Sequence, residues 1–182
     1  PPSSAVGRSW VRRMTAVIHE IDPRHPVTCG LHTANLVEDN GLRVHEVFAE
    51  TDLAVMHGYP MYAEWAAGPL DPNFVPFSCA LTSALCGKPT LMEEFGGCTA
   101  PPGQPSFVWR WSSYGRPRRQ FMASEQELAE YVERVLPKLV SVGALGAMWW
   151  CFADYAPELQ DLPPCDQSRH ERHLGLVRPD GS

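Results

Sequence analysis

Apolar positions along this chain recur with two periods, and the two alternate. Trp10, Val11, Met14, Val17, Ile18 and Ile21 fall three or four residues apart, the spacing of one helix face. That stripe predicts a helix capped by Ser9 and closed at Asp22-Pro23, because a residue before proline avoids helical geometry. Residues 26–31 then form a short apolar run ending at His32. The order repeats three times. A helix near 42–48 precedes the run 53–56, and a helix near 77–85, broken by Gly87, precedes the run 90–95. Ser124-Glu125-Gln126-Glu127 is a capping box opening a helix with Leu128, Tyr131, Val132, Val135, Leu136 and Leu139 on one face. Gly143 ends that helix and a last apolar run leads to Trp150. Residues 60–76 and 96–123 read as long loops, the second carrying Trp109, Trp111 and Tyr114, and 156–182 as an irregular charged tail.

Near-continuous apolar strands separated by helices predict a parallel sheet of α/β class. Eight helix–strand units close a (β/α)8 TIM barrel, so four make half of one. An open doubly wound sheet is the alternative, disfavoured because no glycine-rich phosphate loop follows any strand.

The strand ends carry the candidate chemistry. The run Thr90-Leu91-Met92-Glu93-Glu94-Phe95-Gly96-Gly97 delivers carboxylates beside glycines that let a ligand approach the backbone. Strand alternation groups Glu94 with Met92 and Thr90, and Glu93 with Leu91. With the first group facing the lumen, Glu94 is the candidate nucleophile and Glu93 lies behind it, towards the helices. His57 and Tyr59 share a face across Gly58; the tyrosine hydroxyl can hold a carboxylate, and the histidine can bond a carboxylate or a sugar hydroxyl. Trp150 presents a ring suited to stacking on a pyranose, with Trp149 packing outward under a helix. His170-Glu171-Arg172-His173 has its histidines three residues apart, one short of the zinc-binding H-E-x-x-H spacing. Asp154, Glu158 and Asp161 lack the spacing of a calcium loop. No metal or other cofactor is expected.

Composition narrows the partners. The 182 residues carry a net charge of −6, which argues against nucleic acid, and Arg116, Arg118 and Arg119 read as a solvated loop. No apolar stretch approaches the ~18 residues of a membrane span, so no membrane partner is expected. Six cysteines without metal-ligand spacing read as free thiols and lean towards a reducing, cytoplasmic compartment; localisation is otherwise unassigned.

Together, His57-Gly58-Tyr59, Met92-Glu93-Glu94-Phe95-Gly96 and Trp150-Cys151-Phe152-Ala153-Asp154 resemble, in order, the sixth, seventh and eighth strand ends of clan A glycoside hydrolases. The style is that of family 5 barrels of the cellulase and β-mannanase type. The resemblance spans roughly residues 7–182 and implies the carboxyl-terminal half of the barrel, strands five to eight. It also implies a retaining hydrolase of β-linked glycans (β-mannan, β-glucan or shorter β-glycosides), with an oligo- or polysaccharide substrate. In that scheme Glu94 is the nucleophile, Tyr59 holds it, and His57 and Trp150 bind sugar. Trp109, Trp111, Tyr62 and Trp65 are candidates to extend the cleft. The family's acid/base glutamate follows an asparagine at the fourth strand's end, yet Asn35, Asn40 and Asn73 are followed by Leu36, Gly41 and Phe74. The expectation is therefore that residues 1–182 form a partial catalytic domain whose acid/base lies before Pro1. Such a fragment is expected to be inactive alone and prone to self-association through exposed half-barrel edges. A non-catalytic carbohydrate-binding pseudoenzyme of the same fold is the alternative. A barrel lyase or isomerase would need a metal site or catalytic lysine; Lys88 and Lys138 begin a strand and sit in a helix, respectively.

Overall fold

A computed structural model describes residues 3–182. Three strands, β1 (Ala54–Gly58), β2 (Thr90–Phe95) and β5 (Gly146–Trp149), form a parallel sheet in the order β1-β2-β5. The expected first strand is not a regular one. It runs beside β1 through a single parallel bridge, His32 to His57, with His57 donating to Leu31 and Thr33 to His57 through their backbone amides. Spatial order thus follows chain order across all four segments, and the chain is mixed α/β with a parallel sheet.

Helices α1 (Ser4–Ile21), α2 (Ala34–Val37), α3 (Val44–Phe48), α4 (Phe74–Cys86) and α5 (Glu125–Ser141) complete the frame. Gly87 closes α4 with φ 64°, a left-handed turn that glycine takes at no steric cost. One core lies between sheet and helices, where Val47, Phe48, Val55, Met56, Val75, Cys79, Met92 and Val135 are almost wholly buried. In β1, Ala54, Val55 and Met56 are sealed on both faces. β5 is not: Met148 is 54% exposed, because among the described residues the strand pairs only with β2.

Three expectations need correction. Ser9 does not cap α1 but lies inside it, since the helix starts at Ser4. Most of the apolar stripe of α1 faces outward: Trp10 is 56% and Ile21 83% exposed, while only its Val11 turns inward, with Gly7 and Thr15. Close approach sets that face. A methyl group at Gly7 would stand 2.3 Å from the Gly41 carbonyl oxygen, so only glycine permits the contact, and Arg8 and Arg12 pin the helix to Glu50. Residues 96–123 are not simply a loop. Strands β3 (Phe107–Ser113) and β4 (Arg116–Met122) pair as an antiparallel hairpin. Tyr114 (φ 48°) and Gly115 (φ 72°) make its two-residue turn, whose positive angles suit the twist of the flanking strands.

Candidate active site

The site is built where β1 and β2 end. Their register slips between Met56 and His57: Met56 pairs with Met92, but His57 pairs with Glu94. Glu93 is therefore the extra residue of a β-bulge, which re-aims neighbouring side chains. Simple alternation fails here. Thr90 accepts from Ser83 of α4 at 2.8 Å, and Met92 lies in the helix-side core. The group expected to line the lumen instead faces the helices, and the bulge brings Glu93 and Glu94 to the same histidine.

That histidine links the pair. His57 Nε2 lies 2.9 Å from Glu93 Oε2, and its Nδ1 lies 3.4 Å from Glu94 Oε1. Tyr59 Oη donates to Glu94 Oε2 at 2.8 Å. Burial first, and then its bond to Glu94, push the Tyr59 hydroxyl far above its ordinary value, so it remains a donor. A side chain at Gly30 would meet the His57 ring at 2.9 Å and Glu93 Oε2 at 3.3 Å. The bare backbone of Gly30 makes the room in which the histidine bridges two carboxylates.

Aromatic rings continue outward from this centre. His32 stacks on Tyr59 with centroids 6.0 Å apart, and Tyr62 tilts against Tyr59 at 5.5 Å. Burial, then His57, lower the pKa of His32 and favour its neutral form. Trp150 follows β5, its amide donating to the Phe95 carbonyl at 2.9 Å, and its side chain is 41% exposed. Trp149 packs edge-on against Phe95 at 5.3 Å. Trp65 packs on Phe74 at 4.4 Å, at the start of α4.

The tail holds what the sequence reading missed. Glu171 and His170 sit in a 3₁₀ turn, Arg169–His173. The Glu171 carboxyl is raised by burial and, next, by the Glu94 carboxylate, so a third acid lies in the field of Glu94. His170 Nε2 lies 3.4 Å from Glu171 Oε1. Trp111 packs against His170 at 5.4 Å and Trp109 against His173 at 6.0 Å. The only signal in the sequence was the alternation of aromatics 109 and 111, which requires a strand to give it a face.

Among the described residues, no group of three or more histidine, cysteine or acidic side chains is arranged to hold a metal. All six cysteines are free thiols, and no helix is long and apolar enough to cross a membrane. A further cavity of about 520 Å³ lies between the start of α5 and the tail, with Leu128, Trp149 and Arg178 in its wall.

No protein-family model matches the sequence, and comparison with curated proteins finds no match. Solved structures do match. An exo-β-1,4-mannosidase from Opitutaceae bacterium strain TAV5 superposes with a TM-score of 0.73 at 26% identity, over 99% of this chain and 30% of that one. A GH5_18 protein from Streptomyces cattleya, solved with Manb1-4GlcNAc, gives 0.74 at 16% identity over 98% and 39%. A family 17 β-1,3-glucanosyltransferase from Rhizomucor miehei gives 0.63 at 13% over 100% and 56%. The chain has the fold of part of a glycoside hydrolase barrel. It spans less than two-fifths of the length of the first two neighbours.

Proposed function

We propose that this chain carries the nucleophile side of a retaining glycoside hydrolase acting on β-linked glycans. The observation that carries the reading is the Tyr59–Glu94 hydrogen bond, at 2.8 Å, placed at the ends of parallel strands where barrel enzymes assemble their sites. Glu94 attacks the anomeric carbon. The carbon–oxygen bond to the leaving sugar breaks as an acid protonates that oxygen, leaving a glycosyl ester on Glu94. Water, deprotonated by the same group, then releases the sugar. Tyr59 fixes one oxygen of Glu94 and its donation tempers the carboxylate's charge. His57 orients the other oxygen through Nδ1 and is itself held by Glu93. Trp150 offers a stacking surface beside the end of β2.

Retention requires a second carboxyl about 5 Å from the nucleophile. Glu93 is committed to His57, so the proposal places the acid/base on the part of the barrel outside these residues, with 1–182 as a partial catalytic domain. The mannosidase likeness makes β-mannosides the first substrates to try, with β-glucosides beside them.

The test is Glu94→Gln in protein carrying the whole barrel, assayed on aryl β-mannosides and β-glucosides. Turnover should fall by at least about 10³-fold, a loss of some 4 kcal/mol of transition-state stabilisation, while the sugar still binds. Unchanged turnover would remove Glu94 from the nucleophile role. A parent protein that binds sugars without cleaving any would favour the carbohydrate-binding pseudoenzyme.

A further inference from the structure

The hairpin segment has a charge of its own. From Gly96 to Ser124 the chain has four arginines (Arg110, Arg116, Arg118 and Arg119), no lysine and no carboxylate, a local charge of +4 within a chain of −6. Across the hairpin Arg110 stands directly opposite Arg119, an arrangement that destabilises a sheet unless a counter-charge is present. Among the described residues none of these four forms an ion pair; those formed by arginine belong to Arg8, Arg12, Arg24, Arg43, Arg172 and Arg178.

Arg118 and Arg119 line a cavity of about 440 Å³ whose other walls include Tyr62, Trp111, Tyr114 and His170, and whose lining contains no carboxylate. Gln167 of the tail ties the hairpin to this cavity. Trp111 Nε1 donates to the Gln167 carbonyl at 2.7 Å, and the Tyr114 amide donates to Gln167 Oε1 at 2.9 Å. Arg118 is close enough to help lower the pKa of His170, after burial, which favours the neutral ring and leaves the Arg118 guanidinium, on the same hairpin face as Trp111, as the cation there. Tyr62 joins this cavity to the candidate active site, since it packs on both His170 (6.0 Å) and Tyr59 (5.5 Å).

We propose that this cavity is a subsite for an anionic sugar unit of the glycan, one bearing a hexuronate carboxylate or a sulfate ester. Guanidinium forks match planar or tetrahedral oxyanions, and Tyr62 and Trp111 supply ring faces for the apolar side of a pyranose. Neither feature alone selects this ligand; an acid group on a sugar needs both. The inference rests on the glycoside hydrolase reading, from which Tyr62 sets the direction of the chain of sugars.

The test compares three disaccharides by isothermal titration on the chain: cellobiose, cellobiouronic acid and cellobiose 6-sulfate. At least one anionic sugar should bind about tenfold or more tightly than cellobiose, and which one does so distinguishes carboxylate from sulfate recognition. The ratio should collapse towards one in the Arg118→Ala/Arg119→Ala double variant, with folding checked by circular dichroism. In the parent chain the ratio should also shrink as sodium chloride rises, because screening weakens exposed charge pairs; this arm stands even if the double variant does not fold. Equal affinity for all three sugars, or a preference indifferent to both salt and the arginines, overturns the subsite and leaves the glycoside reading standing. Failure to bind any of the three overturns the subsite, while the glycoside reading is decided separately by Glu94→Gln in protein carrying the whole barrel.

Discussion

At the scale of single residues, the Tyr59 hydroxyl has the most direct consequence. Tyr59→Phe removes one hydrogen bond to a carboxylate, an interaction worth about 1.5–3 kcal/mol. Turnover by the whole-barrel protein should fall about 10- to 150-fold with little change in KM, read from steady-state kinetics; an unchanged kcat would mean that Glu94 needs no such support. Glu171 makes a prediction of opposite sign for stability. Its carboxyl binds a proton more tightly folded than unfolded, because burial and Glu94 raise it above the ordinary 4.5. Ionised at neutral pH it therefore weakens the fold, and that penalty vanishes as the pH falls through the raised value. Glu171→Gln should melt at a higher temperature than the parent at about pH 7 and at the same temperature below about pH 4 by calorimetry. A lower melting temperature at neutral pH would show that the His170 contact outweighs the repulsion. Glu94, His57 and Tyr59 were legible from the sequence because each closes an apolar run that could only be a buried strand. Glu171 was not, since it meets Glu94 only through the folding back of a tail that has no period.

At the scale of elements, helix α5 shows a motif half realised. The Glu127 amide donates to Ser124 Oγ at 3.3 Å, as a capping box requires. The return bond is replaced: the Ser124 amide donates to Ser106 Oγ at 2.7 Å, just ahead of the hairpin. Ser124→Ala should cost about 1 kcal/mol in urea unfolding, and a change within error would mean that the cap adds nothing here. The helices and strands of the frame could be read because their apolar periods are long. The hairpin could not: Tyr114-Gly115 lacks the Asn-Gly or Asp-Gly signature of such turns, and β4 opens with arginines and a proline. The buried face of α1 was misread for a related reason. Its packing is decided by the absence of a side chain at Gly7, which a search for apolar stripes passes over.

At the scale of the whole molecule, the outward faces are the unusual property. Trp10, Val17 and Ile21 on α1, and Leu145, Met148 and Phe152 around β5, are apolar and exposed. An unpaired strand edge beside such surface favours association. The chain should sediment above its monomer mass of 20.2 kDa at micromolar concentration, and Met148→Lys should lower that mass. A monomer across the whole concentration range would mean that these faces do not attract one another.

The bulge between β1 and β2 bears on any comparison of this sequence with others. Counted from Thr90 as a regular strand, β2 would set Glu93 opposite His57; with the bulge, Glu94 stands there. Since bulges are kept within families, the acid to compare in a related strand is the one opposite its partner strand's residue at the His57 position, whatever its distance from the strand's start.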